Sequence, residues 1–492
     1  MGFSIRQMDS QRKFASALTV EALNQVIPQH AIDEVIALEG VQHRRERRLT
    51  ASLTIWIVIA LHLYPTVAIA GVLRKLARGL RLVWSDPSIP LPADSAIAAR
   101  RQQLGARPVV ALFKRICKPM ATPQTHGAFL FGLRAVAIDG TSEDAPDTPA
   151  NAKAFGRHPT GRGKSAFPQL QGVYLVECGT HAIFDAGFWP CSTSERVGGF
   201  RVLRSIQRGM LVLWDRGFHD FDMFKAVRER GAHVLSRLPS HARPEVVRVL
   251  SDGSLLARIR PSDYARRKAG EHILVRVITY TINDPALPGY GEEHRVITTL
   301  LNPRTAPAHE VACGYHERWE AEVTIDEVDT HQRLVGRMLR SLTPMGVVQE
   351  LYGILLAHYA VRWLMHQAAL RQGIDPDRLS FVHAIEVIRD AVSEFQMVAP
   401  EQQRELYERM LDDIASKRLG ERRCRSNPRV VKRKMSNFKL KRDEHYHPPP
   451  AKDSFRDAVV VQPCPVLELP PRPPPQQEPA ILELHQREPC LI

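Results

Sequence analysis

The chain has 492 residues, 44% hydrophobic and 24% charged, so it is long enough for several domains and apolar enough to bury a core. Its formal net charge of +14 favours a polyanionic partner, with nucleic acid ahead of an anionic membrane. The seven scattered cysteines have neither zinc-site spacing nor the pattern of a disulfide framework, which excludes a small secreted scaffold and fits a reducing cytoplasm.

Residues 1–128 are predicted to form a helical region. Apolar positions recur at helical spacing over residues 20–38 and again over 95–116. Residues 93–109 predict a helix, a glycine turn and a second helix. This pattern occurs in DNA-binding proteins and equally in others, so DNA binding by this region is one of two interpretations.

One N-terminal segment has the length of a membrane span. Residues 53–73 are almost wholly apolar and follow a basic run. His62 and Pro65 interrupt the segment near its middle, which favours a buried, proline-kinked core helix. A membrane protein built on this segment is the rival hypothesis.

Residues 129–371 alternate between strand and helix patterns, which is typical of an α/β domain. The predicted strands are 133–139, 170–177, 181–188, 210–214 and 233–238. Helices are predicted after the third and fourth of them. Residues 239–309 interrupt the series with β-branched runs and glycine turns, and we predict an inserted β subdomain there.

The C-terminal part is predicted to be helical and basic over 372–447. Between Lys417 and Arg442 there are twelve Lys or Arg residues and one acid, a cluster suited to nonspecific phosphate binding. Residues 448–492 carry twelve of the 36 prolines, and we predict that this tail is disordered.

Two aspartates stand at the ends of apolar strands. Asp139 ends the first predicted strand and Asp215 ends the fourth, each with a glycine close behind. Ligands of open α/β sheets gather at the carboxyl ends of strands, so a binding site is one interpretation. Aspartate before glycine also starts ordinary turns, and for either residue alone that interpretation is favoured.

A third carboxylate lies on a predicted helix. Tyr315, Arg318 and Glu322 are spaced i, i+3 and i+7, which places them on one helix face. Carboxylates brought together from helix and strands repel one another unless a cation lies between them, and Mg²⁺ prefers oxygen ligands. An ordinary Arg–Glu surface pair is the alternative for this helix alone.

Eight blocks of sequence together resemble bacterial insertion-sequence DDE transposases of the insertion-sequence-four type. The blocks are Ala137–Thr141, Ala154–Gly156, Ala166–Gln169, Val176–His181, Asp215–Phe218, Tyr315–Glu322, Leu339–Pro344 and Glu350–Tyr359. The resemblance covers roughly residues 130–370 well, and the flanking regions less well.

The resemblance implies a fold, an activity and a set of roles. The fold is a ribonuclease-H-like catalytic domain with a β-rich insertion, flanked by N-terminal and C-terminal helical regions. Asp139, Asp215 and Glu322 are expected to be the catalytic residues and the ligands of Mg²⁺, or of Mn²⁺ in its place. The expected reaction is cleavage at element ends followed by strand transfer, by a two-metal mechanism.

The expected partners are the terminal inverted repeats of the element and the target DNA, with a homodimer in the synaptic complex and no membrane. We expect a bacterial cytoplasmic protein associated with the nucleoid. The residues predicted to contact DNA are Tyr315, Arg318, Arg216, Arg162, Lys164, Lys432, Arg433 and Lys434.

One position departs from the family pattern. The family signature expects lysine seven residues after the glutamate, and this sequence has Asp329 there. A lysine would contact a DNA phosphate, whereas an aspartate would repel it. A catalytically inactive, transposase-derived DNA-binding protein is therefore the alternative function.

Overall fold

The computed structural model describes residues 2–7, 14, 18–42, 49–86, 90–160, 163–334, 338–421, 430–431, 439–442 and 454–463. At the centre is a mixed sheet whose first five long strands confirm the strand predictions. They are β1 (Leu133–Asp144), β2 (Gln169–Glu177), β3 (Ala182–Pro190), β4 (Met210–Trp214) and β5 (His233–Arg237).

These five strands lie in the order β3-β2-β1-β4-β5. Strands β1, β2 and β3 are antiparallel neighbours, whereas β4 and β5 run parallel to β1. All five residues of β4 are buried, as expected for a parallel strand covered on both faces. This order and direction are those of a ribonuclease-H-like sheet, which confirms the predicted fold class.

The insertion continues this sheet. Its strands are β6 (Glu245–Val249), β7 (Leu255–Ile259), β8 (Ile273–Ile282) and β9 (His294–Thr298). Strand β9 pairs antiparallel with β5, and β8, β7 and β6 follow outward. We predicted a subdomain inserted into the α/β unit. The predicted β-branched runs are strands, but backbone pairing to β5 makes them an extension of the central sheet.

A piece of the C-terminal tail also joins the sheet. Strand β10 (Val459–Val461) pairs antiparallel with the last three residues of β8. Phe455, just before it, packs its ring 4.2 Å from the ring of His316. We predicted disorder throughout 448–492, and the ordered structure at 454–463 departs from that prediction. The physical reason is that the apolar side chains of Phe455 and Val459 are buried against the rest of the protein.

Helices form most of the rest of the described chain. Before the sheet they are α1 (Gln29–Leu38), α2 (Ala51–Ala60), α3 (Ile69–Leu76), α4 (Arg78–Val83), α5 (Asp94–Leu104) and α6 (Arg107–Ile116). Within the sheet region they are α7 (Pro149–Phe155), α8 (Glu195–Val202), α9 (Phe221–Glu229), α10 (Tyr264–Lys268), α11 (Ala308–Tyr315) and α12 (Trp319–Asp326). After it come α13 (Pro344–Gln372), α14 (Phe381–Met397), α15 (Gln403–Ser416) and α16 (Phe455–Ala458).

The apolar segment 53–73 forms two helices with a turn at Pro65 between them, and α2 is buried along nearly its whole length. We predicted a single helix kinked at that proline. None of the helices in the described ranges is long and apolar enough to span a bilayer. The helix–glycine–helix pattern of α5, Gly105 and α6 is confirmed, with Gly105 at φ 73° ending α5.

The long helix α13 ties the N-terminal helices to the sheet. It begins at Pro344, whose missing N–H costs nothing at a helix start, and ends at Gly373 in the left-handed conformation. Helices α2 and α6 pack on it, as does β3. A Cβ at Gly353 would come within 2.7 Å of a Val58 methyl, so glycine allows this close helix contact.

Alternate residues of β1 face two different hydrophobic cores. Ala135 and Ala137 belong to the core shared with α12 and α13, and Val136 and Ile138 to the core under α8 and α9. Residue 139 continues the first series and residue 140 the second. The sheet therefore directs its first candidate carboxylate toward α12.

Candidate active site

The sheet register brings Asp139 and Asp215 side by side. Strands β1 and β4 are parallel neighbours, and Ala137 pairs with Leu213. Asp139 and Asp215 each follow two residues later, so the same register sets them next to each other. The charge of Asp215 acts on Asp139, as expected for neighbours.

Helix α12 brings Glu322 to the same place through Arg318. The Nη1 atom of Arg318 lies 3.3 Å from Oδ2 of Asp139, and its Nη2 atom lies 2.5 Å from Oε1 of Glu322. Between α11 and α12 the chain makes a 3₁₀ turn at His316–Arg318, so the predicted single helix changes pitch. The Arg318–Glu322 pair survives because both lie on one face.

Backbone N–H groups orient both aspartates. The N–H of Gly140 donates to Oδ1 of Asp139 at 2.9 Å, and the N–H of Gly217 donates to Oδ1 of Asp215 at 2.7 Å. Asp215 thus caps a short turn, as the alternative interpretation from sequence expected. Capping a turn leaves the second carboxylate oxygen available, so the turn and the site are compatible.

Burial raises the pKa of Asp139 to about 7. Arg318 opposes this shift, while the negative charges of Glu322 and Asp215 add to it. Burial would lower the pKa of Arg318, but its anionic neighbours, including Glu322 and Asp139, raise it above its usual range. The cluster is thus anionic and partly desolvated, with Arg318 acting as its counter-charge.

The predicted DNA contacts fall into three groups. Arg216 and Lys164 are exposed, so DNA can reach them. Tyr315 and Arg318 are buried, at 8% and 5% exposure, and Arg318 is engaged with carboxylates. The remaining predicted contacts lie outside the described residues; they are Arg162, Lys432, Arg433 and Lys434.

Asp329, in place of the family lysine, belongs to a charged group next to the site. Its Oδ2 accepts a hydrogen bond from Thr141 at 3.3 Å, and its Oδ1 lies 3.4 Å from Nη1 of Arg333. Arg333 also pairs with Glu143 near the end of β1. Burial, then the charge of Glu143, raises the pKa of Asp329. A guanidinium therefore stands one helical turn beyond the position where the family has lysine.

Sequence reasoning missed Glu195, the first residue of α8. Its carboxylate lies over Gly140, so that a Cβ built on Gly140 would be 2.0 Å from Oε1 of Glu195. Burial, then the charge of Asp215, raises the pKa of Glu195. Ser192–Glu195 showed the chemistry of a helix start, but nothing in that pattern reveals the approach to Gly140.

A second group that sequence reasoning missed lies behind the site. Within the described ranges, His181, Glu320 and Asp377 offer ligand atoms that all lie within 4.8 Å of one another, close enough to hold a metal ion. The Nε2 atom of His181 is 2.7 Å from Glu320, and Nδ1 is 3.1 Å from Glu327. Arg362 pairs with Glu327 as well. His181 and Arg362 supply positive charge to the buried carboxylates around them, and we interpret the group as structural.

Two family models and a curated relative match the chain. Residues 17–114 match the family model described as insertion element 4 transposase N-terminal, and residues 130–360 match the transposase DDE domain. The transposase InsG for insertion sequence element IS4 of Escherichia coli K12 is 28% identical over 423 residues, which are 84% of this chain and 91% of that protein.

Two further proteins are similar. The putative transposase InsZ of Escherichia coli K12 is 26% identical over 215 residues, 44% of this chain and 69% of that protein. A piggyBac transposase, solved as a synaptic complex with hairpin DNA, is 11% identical with a TM-score of 0.40, over 82% of this chain and 86% of that one.

The ribonuclease-H-like sheet gives the fold class, and the matched transposase DDE domain gives the class of enzyme. The two family matches, together with this fold, show that the chain belongs to the DDE transposases of insertion element 4 type. The resemblance seen in the sequence is confirmed, and the protein is a transposase acting on DNA.

Proposed function

We propose that this transposase cuts DNA at the ends of its insertion sequence and joins those ends to target DNA, using Asp139, Asp215 and Glu322. The observation that carries the proposal is that Arg318 contacts both Asp139 and Glu322, while the register of β1 and β4 sets Asp215 beside Asp139. Residues 75 or more apart in sequence meet at one edge of the sheet.

The donor set fits a divalent cation. Three carboxylates supply hard oxygen ligands, and burial, with smaller contributions from Glu322 and Asp215, raises the pKa of Asp139. Asp139, Asp215 and Glu322 would hold Mg²⁺, or Mn²⁺ in its place, in a two-metal arrangement. When bound, such ions stabilise charge on the attacking and leaving oxygens of a phosphodiester.

The protein's own groups orient the reaction. In cleavage an oxygen of water bonds to phosphorus, the bond to the 3′-oxygen breaks, and that oxygen takes a proton. In strand transfer the freed 3′-hydroxyl oxygen bonds to a target phosphorus and a target 3′-oxygen leaves. Arg318 would contact the reacting phosphate after releasing Asp139 and Glu322.

DNA binding would draw on exposed basic side chains near this edge. Arg216 follows Asp215 directly and Lys164 lies in a short hairpin, and both side chains are exposed, so both suit the phosphate backbone. The basic cluster 417–442 would add nonspecific affinity. Bringing two element ends together calls for two copies of the chain, and we propose a homodimer in the complex with DNA.

The alternative is a DNA-binding protein without turnover, which Asp329 favours because it removes the family lysine. Asp329 pairs with the guanidinium of Arg333, which weakens the repulsion that its charge would exert on a phosphate, and the three carboxylates are intact. We therefore favour the active enzyme.

The test is cleavage of linear DNA carrying the element ends, with Mg²⁺ or with EDTA, by the wild type and by Asp215→Ala. We expect nicking at the ends only with Mg²⁺, and none above background in the variant, because the variant lacks one of the three carboxylates. Specific end binding by both proteins without cleavage by either would establish the inactive alternative.

Metal affinity should depend on pH in a defined direction. Asp139, with its pKa raised to about 7, binds a proton below that pH, and a cation must displace it. Mg²⁺ affinity is therefore expected to fall by up to about tenfold per pH unit below pH 7 and to level off above it. Calorimetric titrations at pH 6 and pH 8 in two buffers would count the released protons. An Asp139→Asn protein that still released them would refute this assignment.

A further inference from the structure

Glu195 approaches the strand ends from the face opposite Glu322. Ser194 caps α8 through its Oγ, which accepts from the N–H of Val197 at 3.4 Å, and this makes Glu195 the first helical residue. Helix α8 packs on β2 and β3, in the core that lies across the sheet from α12.

Two glycines let α8 come close enough for this contact. A Cβ at Gly198 would be 2.6 Å from a Val173 methyl, and one at Gly199 would be 2.6 Å from the ring of Phe218. Phe218 lies three residues after Asp215. The glycines therefore bring the start of α8 against the turn that carries Asp215.

Glycine at position 140 completes the arrangement. The Cγ, Cδ and Oε1 atoms of Glu195 lie 2.8, 2.7 and 2.0 Å from where a Cβ of residue 140 would stand. The carboxylate thus fills the place of a side chain on the residue that follows Asp139. The φ angle of Gly140 is not positive, so the backbone conformation would accept another residue. The lack of space beside Glu195 is what requires glycine here.

Carboxylates outnumber basic side chains at this edge of the sheet. Four carboxylates meet here, those of Asp139, Asp215, Glu322 and Glu195. In the described part of the chain, Arg318 forms ion pairs with two of them, Asp139 and Glu322. Arg318 reaches Asp139 and Glu322, on the side of α12. On the side of α8, the charged residue that acts on Glu195 is Asp215, another anion.

We propose that Glu195 is a fourth metal-binding carboxylate of this transposase, holding a divalent cation together with Asp215 on the α8 side of the site. The inference rests on the proposed metal-dependent function. It assigns the two sides of the site to different carboxylate pairs: Asp139 with Glu322 toward α12, and Asp215 with Glu195 toward α8.

The experiment is calorimetric titration of the full-length protein with Mn²⁺ in the absence of DNA, so that metal binding is read without activity. Glu195→Gln keeps the size of the side chain and removes its charge. We expect Mn²⁺ affinity to fall by about tenfold to a hundredfold, with an unchanged thermal midpoint. Glu229→Gln, at an exposed glutamate at the end of α9, is the matched control and should bind as the wild type does.

A second variant displaces the Glu195 carboxylate without changing any charge. Gly140→Ala should push the Glu195 carboxylate away and weaken Mn²⁺ binding similarly, which keeps the proposal testable if Glu195→Gln unfolds. Wild-type affinity in both Glu195→Gln and Gly140→Ala, with binding lost in Asp215→Ala, would overturn the role of Glu195 alone. Wild-type affinity in Asp215→Ala as well would overturn the proposed metal site itself.

Discussion

Replacing Arg318 by alanine is expected to change metal binding and cleavage in opposite directions. The guanidinium lies 3.3 Å from Asp139 and 2.5 Å from Glu322, where it competes with a cation for the same carboxylates. Without it, Mg²⁺ affinity should rise about tenfold, since the competing charge is gone. Cleavage at saturating Mg²⁺ should fall about 10²- to 10³-fold, because a donor to the reacting phosphate is lost.

Calorimetry for Mg²⁺ and single-turnover cleavage of end-bearing DNA measure the two effects. Asp139→Asn is the comparison, because it removes a ligand rather than a competitor and should weaken binding and cleavage together. If Arg318→Ala bound Mg²⁺ no better than the wild type, Arg318 would not be a counter-charge that the cation replaces.

Glu327→Gln is expected to cost about 3 to 5 kcal/mol of unfolding free energy, the range for breaking one partner of a buried ion pair. Glu327 is buried, and its Oε2 accepts from Nε of Arg362 at 2.8 Å and lies 3.1 Å from Nε2 of His358. Burial alone would raise the pKa of Glu327, but Arg362 and His181 hold it well below its usual range. The amide would leave the Arg362 guanidinium buried without its counter-charge.

Urea unfolding followed by circular dichroism measures this loss. Glu408→Gln is the control, since Glu408 pairs with Arg404 at 3.4 Å on an exposed helix face and should contribute less than about 0.5 kcal/mol. A loss below about 1 kcal/mol in Glu327→Gln would contradict the interpretation of this group as structural.

One helical segment, residues 319–332, carries side chains of both the candidate active site and the buried group around His181. Glu322 faces the strand ends, whereas Glu320, two residues earlier, pairs with His181 in the buried interior. Glu327 lies in the π-helical turn that follows α12. The buried group therefore fixes the helix that presents Glu322, so weakening it should also lower cleavage through a loss of folded protein.

Local pattern was enough to predict the strands, and the eight blocks together predicted the family, whereas the roles of the three carboxylates stay predictions. Apolar runs ending in Asp139 and Asp215 predicted strand ends, because side-chain spacing in strands is periodic and aspartate favours turns. The i, i+4 spacing of Arg318 and Glu322 predicted their contact, which the structure contains. Each of these predictions depends on neighbours in sequence.

Tertiary structure alone decided the rest. Nothing near Glu195 in sequence reveals that it fills the space over Gly140, and nothing near Asp329 reveals that it accepts a hydrogen bond from Thr141 of β1. The insertion was predicted as strands, yet only backbone pairing with β5 made it part of the central sheet. Local periodicity determines which element forms, whereas distant pairing, packing space and the balance of buried charge arise only when those elements meet.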